Sequence, residues 1–399
     1  MNPTAPPERE PVLDVLRGFA VLGIFVVNLE SMRGSDWLML LSGHSLPPHG
    51  RLDAVLQFAI GWLAAGKFVS CLALLFGLGA GIIAERASRT GESPRRLLAR
   101  RYAWLAVFGV AHTPIFAGDI LLLYGITGLA LLAFAASGVK TLVAWSLALL
   151  ALYTVIFIAG MSAPVSVTYD RADGGFAAFV EELWIDTVEA FTAGTVFDML
   201  RVQVQQALLL HPGQLTVLPW VLALFLLGCA LARAGVLKDL RAHRAMLRVG
   251  ALAGLGVGLP ANFVLGWLGP YAGFGVTATH PQWIVQWGAV AHAVGTPVLA
   301  IGYLCALSLF CLRRPVPALA AVGRMALTAY LLQSVVALAI FGGLRLYDTL
   351  STASALVVAA LVWAMLLVLC PWWLSRFRFG PAEWLWRALT YKAPRVSSR

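Results

Sequence analysis

At 399 residues, 60% hydrophobic and 12% charged, with a mean hydropathy of +0.82, the chain carries too little charge to cover a water-soluble surface of its size. An all-α, polytopic helical membrane protein is the class that remains, because helices satisfy their own backbone in lipid. The formal charge of +10 sits on basic residues that flank apolar stretches, which is how topology is encoded, and this sets nucleic acid aside as a partner.

The first apolar stretch, Pro11 to Met32, is long enough to span a bilayer yet carries Asp14, Arg17 and Asn28. At 100° per residue, Asn28 lies about 20° round the helix from Arg17 and Asp14 about 60° from it, so the three share one face. Such a stripe calls for polar partners or a wet cavity. Asp14 and Arg17 alone would read as a juxtamembrane pair, but Asn28 lies about 16 Å further along. Met1 to Pro11 is proline-rich with mixed charge and no small-residue cleavage site closes the apolar stretch, so the first helix is expected to stay in the mature protein.

Leu52–Ala84 is interrupted by Gly66 and Lys67, and reads as an interfacial or re-entrant helix (Leu52–Ala65) followed by a span (Phe68–Ala84). The arginines between Glu85 and Arg101 mark that loop as cytoplasmic. Further spans are expected over Tyr102–Phe116, Ile120–Ala136, Leu142–Met161, Leu215–Ala232, Leu247–Leu268, Ile284–Leu312, Leu319–Phe341 and Ala353–Leu374. That makes about ten crossings with both termini cytoplasmic. The acid-rich segment Ser162–Gly213 then falls outside, with helical periodicity over Phe176–Leu210; a surface connector is its plainer reading, a lid its functional one. The chain divides into an N-terminal bundle (1–161), this extracytoplasmic segment (162–213), and a C-terminal bundle with a basic aromatic tail (214–399). The tail is read as an interfacial anchor, and the glycines of Gly77–Glu85 as close helix packing.

AHTPIFAGDILLLYG, Ala111 to Gly125, places His112 near the outer end of the third span and Asp119 at the start of the fourth. Asp119 reads as a helix N-cap or as the partner that orients a histidine general base. His44, His49, His280 and His292, and Gln333 with Ser334, are weaker candidates. The five cysteines form no CxxC pair, and no metal is expected.

LDVLRGFAVLGIFVVN, GKFVSCLALLFGLGAGI, AHTPIFAGDILLLYGITGL, GRMALTAYLLQS and RFRFGPAEWLWRALTY, in this order over nearly the whole chain, resemble the YeiB family of bacterial inner-membrane proteins. Ala329 stands where the family usually carries asparagine. That family is similar, especially in its first helix, to the wider group of transmembrane acyltransferases. The resemblance implies a multi-pass inner-membrane enzyme that moves an acyl group from cytoplasmic acyl-CoA, acetyl-CoA foremost, to a hydroxyl or amine of a small-molecule or glycan acceptor. His112 would be the base, Asp119 its orienting partner, and Asn28 or Tyr124 an oxyanion donor. Asp14, Arg17, Lys67 and Arg101 would serve the acyl-CoA. A transporter of a small amphiphile is the alternative, a non-catalytic membrane partner a third reading, and homo-oligomerisation is left open.

Overall fold

A computed structural model describes residues 11–34, 36–41, 50–162, 175–236, 239–268 and 281–391. Among these residues the structure is helical throughout, without a strand. The N-terminal half contains α1 (Pro11–Met32), α2 (Asp36–Leu41), α3 (Arg51–Leu63), α4 (Lys67–Arg89), α5 (Pro94–His112), α6 (Leu121–Ala130) and α7 (Val139–Ser162). Next come α8 (Phe176–Thr192), α9 (Val196–Thr216), α10 (Leu218–Arg233), α11 (Arg244–Leu268) and α12 (Gln282–Val290). The chain ends with α13 (Thr296–Cys311), α14 (Pro317–Arg324), α15 (Ala326–Leu338), α16 (Thr352–Leu374) and α17 (Pro381–Thr390). His44, His49 and His280 lie outside the described residues.

Seven of these helices or helix runs are long and apolar enough to cross a membrane, and α9 with α10, bent by 59° at their junction, makes an eighth. That is fewer than the roughly ten crossings expected from hydropathy alone. The shortfall lies in the hairpin of α5 and α6. Arg95, Arg96, Arg100 and Arg101 occupy the first half of α5. The apolar run of α6 with its following 3-10 turn ends at Phe134, roughly 20 Å of helix against the ~30 Å of a bilayer core. The connection from Thr113 to Ile120 therefore turns inside the bundle, with His112 2% and Asp119 0% exposed.

α1 is the axis of the fold: it packs against α4, α13, α14, α15 and α16, and fifteen of its residues, from Val12 to Met32, are buried. α4 lies along α10, and the glycines explain how closely: a Cβ on Gly77 would fall into the Phe225 backbone, and one on Gly228 into that of Leu74. The close-packing reading of the Gly77–Glu85 stretch is what is found.

Beyond Met32, sequence reasoning overlooked a buried ionic network. Arg33 Nη2 lies 3.1 Å from Glu30 Oε2, and Arg33 Nη1 donates to the Leu350 carbonyl. The hydroxyl of Thr352 donates to Glu30, while both oxygens of Asp53 accept N–H groups at the start of α16, from Thr352 and Ala353. Glu30, Arg33, Asp53 and Thr352 are each at most 4% exposed. The i, i+3 spacing of Glu30 and Arg33 was the available signal.

The acid-rich segment is more than a surface connector. α8 and α9 pack together, α9 opens with a capping box between Thr195 and Asp198, and it buries Met199, Val202, Gln203, Gln206 and Ala207. Gln203 Oε1 accepts the Ala117 N–H at 2.7 Å, so α9 reaches the internal turn between α5 and α6. The tail is similarly built in. In α17, Glu383 accepts the Leu327 and Thr328 N–H groups at the start of α15, and Trp386 donates to the Arg101 carbonyl.

Candidate functional site

His112 closes α5, and Thr113 to Ile120 reverse the chain before α6 begins. This brings His112 Nδ1 to 2.8 Å from Asp119 Oδ1. Asp119 Oδ2 accepts the Leu122 N–H at 3.0 Å, so the capping role and the histidine-partner role coexist in one carboxylate. From α15, the Tyr330 hydroxyl donates to Asp119 Oδ1 at 3.4 Å and accepts the Ile120 N–H at 3.3 Å. The Tyr330 ring lies 5.3 Å from that of His112, centroid to centroid.

With Nδ1 committed to a carboxylate, the neutral imidazole carries its hydrogen there, and Nε2 is an acceptor. That Nε2 is buried and, among the described residues, has no hydrogen-bond partner. One turn along α15 from Tyr330, Gln333 donates through Nε2 to the Val21 carbonyl of α1, and its Oε1 has no donor among the described residues. Gln333 thereby ties α15 to α1. Tyr330 was missed, because only the fold brings it 211 residues back to Asp119.

The other expected residues distribute differently. Asp14 and Arg17 form their ion pair at 3.1 Å, with the Arg17 side chain 30% exposed. Arg101 is near them electrostatically, with Arg17, Arg387 and Tyr391 among its charged or ionisable neighbours, but its guanidinium stacks 3.6 Å from the Trp386 ring centroid. Along α5, Arg101 and His112 are separated by about 16 Å.

Lys67 is not part of this basic end. The α3–α4 break at Gly66 (φ 79) puts it at the start of α4. Arg17 faces Gly79, which lies about 18 Å further along the helix. Lys67 Nζ donates to the Gly61 carbonyl instead. Tyr124 is placed as a packing residue: its hydroxyl hydrogen goes to the Val69 carbonyl at 2.6 Å, and its ring meets Phe76 and Phe225 edge-on. It has no proton left for an oxyanion. Asn28 is half-buried on α1, and among the described residues no hydrogen bond joins it to the dyad. No group of three or more His, Cys, Asp or Glu positioned for a metal occurs among the described residues.

Comparison with known proteins adds the lineage. The profile of the family described as "Protein of unknown function (DUF418)" matches residues 231–393. The Escherichia coli (strain K12) protein described as "Uncharacterized protein YeiB" is 30% identical over 404 residues, covering 97% of each chain. The chain belongs to the YeiB (DUF418) family. A second relative, "Uncharacterized protein YxaH" of Bacillus subtilis (strain 168), is 29% identical and covers 98% of this chain and 96% of its own. The 39.9 kDa protein of the amylase 3' region of Bacillus acidopullulyticus is 26% identical, with 98% of this chain and 96% of its own length covered. No solved structure matches. With its run of long apolar helices, this YeiB-family chain is a multi-pass membrane protein.

Proposed function

We propose that the protein is a membrane-embedded acyltransferase that takes an acyl group from cytoplasmic acyl-CoA and delivers it to a hydroxyl or amine at or across the inner membrane. The observation that carries this reading is His112: its Nδ1 is held by a buried carboxylate while its buried Nε2 has no partner among the described residues. That is the arrangement of a general base awaiting an acidic hydrogen.

In the proposed reaction the acceptor O–H or N–H gives its proton to Nε2 as its heavy atom bonds to the acyl carbon. The carbon–sulfur bond then breaks, and the departing thiolate recovers the proton from the imidazolium. Asp119 stabilises that imidazolium and holds the ring in its tautomer. Arg17, the partly exposed cation of the basic end, is the residue best placed for the phosphates, whereas Arg101 lies beneath Trp386. α5 then leads from that end to His112. The proposal leaves Tyr124 and Lys67 out of the reaction.

The test uses the full chain in lipid nanodiscs with acetyl-CoA, following free thiol release with and without a glycan or amine acceptor. Thiol release that depends on His112 is expected. Wild-type protein that neither cleaves acetyl-CoA nor gains thermal stability from it would refute the enzyme. The transporter reading draws on the bent α9–α10 pair and the break at Gly66; uptake into sealed vesicles without thioester cleavage would favour it.

A further inference from the structure

The turn that joins α16 to α17 lies apart from the dyad and presents an unusual surface. Trp372 is in the last turn of α16, a helix long and apolar enough to cross a membrane, and the chain from Ser375 to Gly380 then leads into α17. Trp372 and Phe377 are exposed here, as are Arg376 and Arg378. Rings and guanidiniums are interleaved. The Arg376 guanidinium lies 4.4 Å from the Trp372 ring centroid, and those of Arg378 and Arg387 lie 5.5 and 4.5 Å from the centroid of Phe379. Trp373 stacks on Phe377 at 4.4 Å and donates its indole hydrogen to the Phe379 carbonyl, which fixes the turn.

The charge of this surface has one sign. Between Ser375 and Tyr391 the only acid is Glu383. It faces inward, taking the N–H groups of Leu327 and Thr328 and the Thr328 hydroxyl. Among the described residues no carboxylate forms a salt bridge with Arg376 or Arg378. The bond from Trp386 to the Arg101 carbonyl puts the tail at the same end of the bundle as the arginines of α5, the cytoplasmic end by the positive-inside rule. An exposed tryptophan at the end of a span sits at headgroup depth, where a bilayer presents its phosphates.

We propose that the outer surface of the α16–α17 turn binds anionic phospholipid of the cytoplasmic leaflet. Arg376 and Arg378 donate to the headgroup phosphates, each guanidinium offering paired N–H groups while the ring beside it holds its plane. A headgroup with no cation of its own is favoured, because the exposed turn carries positive charge and no acid. Phosphatidylglycerol is therefore preferred to phosphatidylcholine. Lipid held there keeps α17 docked and so, through Glu383, supports the start of α15. The inference does not depend on acyl transfer.

The test follows thermal unfolding of the full chain in neutral detergent titrated with phosphatidylglycerol or phosphatidylcholine. Phosphatidylglycerol should stabilise at concentrations where phosphatidylcholine does not, and added salt should weaken the effect. Arg376→Gln with Arg378→Gln, both changes on the surface, should raise the half-saturating concentration about fivefold for each arginine lost. Arg95→Gln with Arg96→Gln is the control: these arginines are exposed at the same end and stack on no ring among the described residues. Their loss should weaken the lipid effect less. The site is overturned if phosphatidylcholine stabilises equally, or if the control pair costs as much as the tail pair. Glycerol 3-phosphate acting as well as the lipid would also overturn it, in favour of a free phosphate. A wild-type dimer that the tail variant splits would overturn it in favour of a second copy of the chain.

Discussion

His112 and Asp119 meet at 2.8 Å across seven residues of chain, inside the bundle rather than at its surface. The turn between them is held from three directions: by Leu122 on α6, by Tyr330 on α15 and by Gln203 on α9. A surface turn needs no such support. The separate elements converge on the orientation of one imidazole.

Replacing His112 by Ala is expected to lower acyl transfer by about 10²–10⁴-fold, the range for loss of a general base. The variant also gives up the Nδ1 hydrogen bond to the buried Asp119, so melting curves separate lost turnover from lost stability. Asp119→Asn should lower turnover as well while keeping an acceptor for the Leu122 N–H. Rates of thiol release and melting curves, measured together, check both.

Tyr330→Phe removes a hydroxyl that both donates to Asp119 and accepts from Ile120. The half-buried Ile120 N–H then loses that acceptor, at a cost of about 1 kcal/mol. Denaturation in mild detergent should register that loss. A change in the pH profile of transfer would show that the phenol also acts on the dyad.

Arg33→Met should be among the most damaging single changes, costing about 3–5 kcal/mol because it breaks a buried ion pair with Glu30. The double variant Glu30→Gln, Arg33→Met should cost less than the two single losses added together. A double-mutant cycle on melting free energies measures this.

Glu383 lies outside the membrane-crossing helices, and burial pushes its carboxyl above the ordinary glutamate range, against the hydrogen bonds from Thr328 and Leu327. A carboxyl that titrates higher when folded holds its proton more firmly in the native state. Its contribution is therefore complete below the unfolded pKa and is lost as pH rises through the folded one. Glu383→Gln should flatten this part of the stability–pH curve. Glu383→Ala, which abandons the α15 N–H groups, should cost about 1–3 kcal/mol at any pH.

Apolar runs and arginine placement made the helical membrane architecture readable, and the Asp14–Arg17 spacing foretold a real ion pair. The residues of AHTPIFAGD announced that a histidine and a carboxylate could meet. What hydropathy could not reveal was depth. It counted α5 and α6 as crossings, whereas by length and composition neither is among the helices long and apolar enough to span. Lys67 and Tyr124 were misjudged for a related reason: helical phase says which residues share a face, but not which neighbouring carbonyl takes their hydrogens. Tyr330 and Thr352 entered their networks only through contacts 211 and 322 residues distant.

The docking of α17 also bears on how the chain is made. Glu383 supplies the cap for a helix whose Thr328 was synthesised 55 residues earlier, which is several seconds of translation at ~5–20 residues/s. Until then the start of α15, the helix that carries Tyr330, has its amides unfinished. A chain cut or fused upstream of residue 381 would leave that helix open at its first turn.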